Sequence, residues 1–202
     1  MTQPDRARIA DAIAAAERAT SGEIRVVLVR RSLLRGHVYP VLWASLVALL
    51  LPWLVALFRP MPLLALFAAQ LVLFGGGALL LMLPGLAVCV TPRSVREEAA
   101  REMALTQFLA LGIHKTRERT GVLILVAPAD RVAEVVADQK IHACVGHDAW
   151  HAVCTHLIEG ARAGRLADGL VAGVAETGRV LAAHFPPRPD KPNELPDHLV
   201  VV

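Results

Sequence analysis

The stretch VYPVLWASLVALLLPWLVALF, residues 38–58, and its continuation MPLLALFAAQLVLFGGGALLLMLPGLAVCV, residues 61–90, contain no Asp, Glu, Lys or Arg. Only Arg59-Pro60 separates them. About 20 apolar residues in a helix cross the hydrocarbon core of a bilayer, so these runs predict two transmembrane helices joined by a tight turn. A buried helix of a soluble core is usually shorter and keeps a polar stripe, which neither run has. The second run is longer than one crossing needs. Gly75-Gly76-Gly77 is placed to kink it or to thin its packing face, and Pro84-Gly85 to begin its exit. The crossings are therefore set at residues 38–58 and 63–83. Ala44/Ala48 and Ala65/Ala69 have the small-residue spacing that lets helices approach closely, and Trp43 and Trp53 suit the headgroup level.

Basic residues set the expected orientation. Arg25, Arg30, Arg31 and Arg35 precede the apolar block, Arg93, Arg96 and Arg101 follow it, and the connecting loop has Arg59 alone. The positive-inside rule then puts both termini, and the polar segments with them, in the cytoplasm. The N-terminal MTQPDR leads into a polar helix and not an apolar signal core, so no cleavable signal peptide is expected. Arginine outnumbers lysine, as in proteins of GC-rich bacteria. The expectation is a two-pass protein of a bacterial inner membrane, with the bilayer as its first partner.

The chain then divides into residues 1–37, a hairpin over 38–90, and 91–202. Without the hairpin, enough chain remains for one domain with its own core. The 55% apolar content and mean hydropathy of +0.50 are largely set by the hairpin. A net charge of +3, with acids and bases intermixed, suits a membrane surface and not a nucleic-acid footprint. Cys89, Cys144 and Cys154 make no CxxC pair, and reduced thiols are expected in the cytoplasm.

In the polar parts, Asp5 to Thr20 has apolar residues at helical spacing and Ser21-Gly22 ends it. EIRVVLVR, from Glu23 to Arg30, is a β-branched run of strand length. Thr91-Pro92 opens a helix over Arg93–Leu111, which Gly112 stops. GVLILVA, Gly121–Ala127, is apolar throughout and predicts a central strand buried on both faces. After the turn chemistry of Pro128–Arg131, Val132–Asp138 should return antiparallel beside it. Asp148 is placed to cap a helix over Ala149–Ala163, whose Trp150, Val153, Cys154, Leu157, Ile158 and Ala161 form a core-facing stripe. A last helix spans Leu166–His184, and the Pro-rich tail from Phe185 should be extended.

RTGVLILVAPADR (119–131), IHACVG with the following Ala149-Trp150, ARAGRLADGL (161–170) and HFPPRPDKPNELPD (184–197) together resemble the TPM domain. Thylakoid-lumen and photosystem-assembly proteins share that domain with many bacterial membrane proteins. The resemblance covers about Asp5–Arg31 and Arg93–Val202 and is closest to a bacterial branch with a hairpin inserted after the first strand. It implies an α/β fold: an α/β/α sandwich around a small mixed sheet. It also implies a LemA-type membrane protein as a partner, and it brings the phosphatase activity and calcium binding ascribed to plant relatives. Many relatives have an Asp-Gly-Leu-Ser-like opening and a GxGLEG-like segment after the third strand. Here those places read PDRARIADAI and ADQKIHACVG, so no phosphatase site is transferred.

Candidate chemistry lies in two groups. His147, His151 and Cys154 fall at i, i+4 and i+7, a helical spacing that could present three ligands to zinc or another divalent metal. The plainer alternative keeps Cys154 in the core stripe with the histidines on the surface. His142 is more at home in a local hydrogen bond. Among the acids, Asp130 with Arg131 stands at a strand end, where open α/β sheets place sites, and its alternative is a turn residue. Asn193, Glu194 and Asp197 suit tying down the tail through hydrogen bonds. There is no GxSxG elbow, and Gly75–Gly77 lacks the Lys-Ser/Thr of a phosphate loop. Two helices with Ser45 and Gln70 as their polar side chains make a poor channel or transporter. The leading expectation is a non-catalytic, membrane-anchored domain serving membrane-protein assembly, interaction or quality control. A metal-dependent, phosphatase-like hydrolase and a His/Cys metal sensor are the alternatives.

Overall fold

The computed structural model describes residues 1–34, 38–188, 194–196 and 198–202. The chain forms two compact units, one of residues 1–33 with 97–202 and one of residues 34–96.

The first unit is a mixed sheet with helices on both faces, the expected α/β/α sandwich. Helix α1 spans Gln3–Arg18, starting earlier than Asp5 because Thr2 and Asp5 form a reciprocal capping box. Strand β1 is Glu23–Leu28, β2 is Gly121–Ala127 and β3 is Val132–Ala137. β1 runs parallel to β2, and β3 returns antiparallel on β2 as its short turn requires. A two-residue strand, β4 (Val200–Val201), adds parallel to the other side of β1 and gives the order β3-β2-β1-β4. The chain therefore extends its own sheet with the end of the tail, which was expected to be merely extended.

Strand alternation assigns the two faces. Ile24, Val26, Leu28, Val122, Ile124 and Val126 pack with α1, with α7 (His147–Arg162) and with α8 (Leu166–His184). Val27, Leu123, Leu125 and Ala127 pack with α5 (Arg93–Ala110) through Ala100, Ala104 and Phe108. Both strands are buried along their whole length, as a strand covered on two faces must be. Gly112, at φ 69°, takes the left-handed conformation that ends α5. Gly121 has no room for a side chain, since a Cβ would lie 2.3 Å from Ile113. Helices α7 and α8 meet backbone to backbone, with a Cβ on Gly160 falling 2.5 Å from the Gly169 Cα. Two local expectations are corrected. Asp148 is not the cap of α7, because Gly146 occupies that position and the helix starts at His147. A short helix, α6 (Gln139–Cys144), capped by Asp138, also intervenes after β3.

The second unit holds α2 (Val38–Phe58) and α3 (Leu63–Leu81), both long and apolar enough to cross a membrane. α3 ends two residues before the expected limit. Pro84-Gly85, expected to begin the exit, starts a further short helix, α4 (Pro84–Val90). α2 turns Ala44, Ala48 and Pro52 inward, and a Cβ on Gly77 would stand 3.6 Å from that of Ala44. Small residues thus line the contact, as close helix packing in lipid favours. Trp43 Nε1 donates to the Val90 carbonyl at 3.3 Å, and Ser45 Oγ to that of Val41 at 2.8 Å. The large side chains face outward: Leu57 is 79% exposed, Leu64 81% and Leu71 73%.

Candidate functional site

Parallel pairing of β1 and β2 brings the ends of both strands out at one edge of the sheet. At that edge the turn Pro128–Asp130 closes β2, and Arg131 follows with φ 54°. Asp130 is fully buried. Its carboxylate accepts a hydrogen bond from Ser32 Oγ at 2.5 Å and one from the Leu33 backbone N–H at 2.7 Å. Charge-assisted bonds of this kind are roughly twice as strong as neutral ones, so Asp130 fastens the segment leaving β1 to the turn leaving β2. Arg30 and Arg31 immediately precede Ser32, Arg131 immediately follows Asp130, and all three are exposed.

The opposite edge is closed by polar contacts. Thr20 Oγ1 donates to the Phe185 carbonyl at 2.6 Å and accepts from the Gly22 N–H at 3.1 Å. Thr120 Oγ1 donates to the Ser21 carbonyl at 3.2 Å, and Glu17 accepts from the Ile24 N–H at 2.7 Å. Asp138 is buried, accepts from the Gln139 N–H at 2.7 Å and lies 4.0 Å from the Arg119 guanidinium. The tail is tied here as well. Glu194 accepts from the Arg117 N–H at 2.9 Å, Arg25 donates to the Pro196 carbonyl, and Arg188 pairs with Glu118. Glu23 and Arg25 are both buried on the α5 side of β1, a pair that residue-by-residue reading passed over. Their i, i+2 spacing within a strand buried on both faces was the available signal.

The histidine and cysteine group is distributed over two helices. His142 on α6 is exposed, as are Cys144, His151 and His156. Cys154 packs against the core, with Sγ 3.7 Å from the Ala133 carbonyl oxygen. Burial, helped by the nearby carboxylates of Glu134 and Glu97, pushes its thiol up to about 11. A zinc-bound cysteine must be a thiolate, and this surrounding favours the thiol. Among the described residues no group of three or more His, Cys, Asp or Glu side chains could hold a metal ion. The His147 side chain, Asn193 and Asp197 lie outside the described residues. What the described geometry assembles is therefore one tightly stapled cationic edge and one polar edge sealed by the tail.

Comparison with known proteins agrees with this architecture. No curated protein matches the chain. The solved NMR structure of BA42 protein from the psychrophilic bacteria Bizionia argentinensis sp. nov. superposes with a TM-score of 0.63 at 23% identity, covering 100% of this chain and 95% of that one. A likeness at that identity concerns the fold. The family model described as the TPM domain matches residues 85–180, from α4 into α8 and including β2, β3 and the Asp130 turn. Over that stretch, just under half of the chain, the protein is similar to the TPM domain.

Proposed function

We propose that this protein is a two-pass membrane protein whose TPM domain works by interaction, in the assembly or quality control of membrane proteins, and not by turnover. The observation that carries this reading is the apolar unit of residues 34–96, inserted between β1 and most of α5 with its large side chains outward. In water that surface would cost roughly 25 cal/mol for each Å²; in lipid it costs nothing. Arg30, Arg31, Arg93 and Arg96 flank the hairpin against Arg59 in its loop, which favours a cytoplasmic domain in a bacterial inner membrane. The acids of the domain serve it as staples and caps, Asp130 and Glu194 among them. The partner is an integral membrane protein, with a LemA-type protein the first to test.

The test is crosslinking in native membranes followed by purification of the full-length protein. A stoichiometric integral-membrane partner that is lost when the TPM domain is deleted supports the proposal. Metal-dependent hydrolysis of a phosphate ester, abolished by Asp130→Asn while the protein stays folded, would replace it with the hydrolase reading.

A further inference from the structure

We infer that the sheet edge bearing Arg30, Arg31 and Arg131 binds the headgroups of anionic phospholipids. The inference rests on the membrane-anchored reading above. Ser32 and Asp130 are 98 positions apart in the chain, yet their hydrogen bond joins the Arg30-Arg31 segment to the turn that ends in Arg131. The acidic side chain at this edge is consumed internally: Asp130 is fully buried and accepts from Ser32 and Leu33, while the main-chain oxygen of Val202 accepts from the Arg30 N–H at 2.9 Å. Glu134, farther along β3, is half-buried opposite Leu125. Three exposed arginines against one buried carboxylate leave the accessible side-chain charge positive. All three arginines are exposed, and among the described residues none of their guanidinium groups makes an ion pair or hydrogen bond.

A guanidinium matches phosphate oxygens with paired N–H donors. Both free phosphate and lipid headgroups offer that chemistry. Chain reach favours lipid: Leu33, held by Asp130, precedes the first residue of α2, Val38, by five positions. Such a link spans at most about 18 Å when fully extended. The anionic leaflet of a membrane attracts arginines held near it and would prefer this edge to one of mixed charge.

The experiment is arginine footprinting of the full-length protein in nanodiscs. Modification of Arg30, Arg31 and Arg131 by a phenylglyoxal reagent is followed by mass spectrometry in phosphatidylcholine discs and in discs also containing phosphatidylglycerol. Exposed Arg162 on α7 serves as the reference. The expected result is modification slower by about tenfold at the three arginines on anionic discs, reversed by high salt, with Arg162 unchanged. Equal rates on the two discs would overturn the inference while leaving the anchored reading standing. Equal protection by millimolar inorganic phosphate on neutral discs would overturn the lipid assignment in favour of a free anion. A protein that fails to stay with either disc overturns both readings.

Discussion

Helices α2 and α7 are both rich in apolar residues, and the fold uses them in opposite ways. α7 carries Trp150, Val153 and Leu157 on one stripe and buries that stripe against the sheet, leaving His151 and His156 outside. α2 is apolar all round and buries Ala44, Ala48 and Pro52, while its leucines stay exposed. The contrast teaches that the distribution of apolar residues, and not their number, decides what a helix is dissolved in. A striped helix has a protein side and a water side. One that is uniform has no water side, and its small residues go to the protein contact because the medium already accepts the large ones.

Substitutions should tell most where each helix is most committed to its surroundings. Leu157→Ala should destabilise the α/β unit by about 2–5 kcal/mol, because Leu157 is fully buried against Gly173 and the cavity closes only in part. Thermal unfolding of the detergent-solubilised protein reads this, and a loss below about 1 kcal/mol would place Leu157 outside the working core. Leu50→Arg puts a charge on the exposed side of α2. In lipid it should oppose insertion by about 2.5–3.5 kcal/mol, whereas on a water-facing helix it would be harmless. Flotation with vesicles separates the two, and unchanged flotation would remove α2 from the bilayer.

Glycines separate the two environments at a smaller scale. Gly160→Ala drives a Cβ into the Gly169 backbone and should cost about 1–3 kcal/mol. Gly76→Ala on α3 meets nothing within 4 Å and should gain up to about 1 kcal/mol from helix propensity. Matched melting curves of the two variants check the sign as well as the size.

A comparably small effect is the pH dependence of Cys154. Its thiol lies above the ordinary value of 9.0, at about 11 in the folded domain, because burial disfavours the thiolate. The unfolded chain therefore loses this proton first. The stabilisation is complete below pH 9 and disappears as pH rises toward 11, by about 1–2 kcal/mol once partial solvent access is allowed for. Cys154→Ala should flatten the decline of melting temperature over that window. An unchanged decline would mean that other groups set it.

Several elements could be read directly. α2 over Val38–Phe58, β2 over Gly121–Ala127 and α8 over Leu166–His184 coincide with the boundaries expected from the sequence. Each is long or uniformly apolar, and Gly, Pro or charge marks at least one end, so local information is enough. β4 could not be read this way, because two valines become a strand only through their pairing with Val27 and Leu28. The role of Asp130 was half legible: the strand end made it a candidate, but the Ser32 and Leu33 donors come from a distant segment. The run from Glu23 to Arg30 was legible as a strand, but not that Glu23 and Arg25 would be buried within it, with Arg25 donating to the Pro196 carbonyl of the distant tail. The helical spacing of His147, His151 and Cys154 says which residues lie near one another on one helix, not which of them a neighbouring sheet will cover.

The apolar hairpin, the central buried strand and the amphipathic helices were set by the sequence alone, since these depend on composition and on periods shorter than a few turns. Only the tertiary fold set the addition of β4, the sealing of one sheet edge by the tail, and the bond from Ser32 to Asp130 that joins the Arg30-Arg31 segment to the turn ending in Arg131. The reason is physical. A local pattern expresses the preference of a segment for a solvent, whereas a hydrogen bond between residues 98 positions apart exists only after the sheet has paid the entropy of bringing them together.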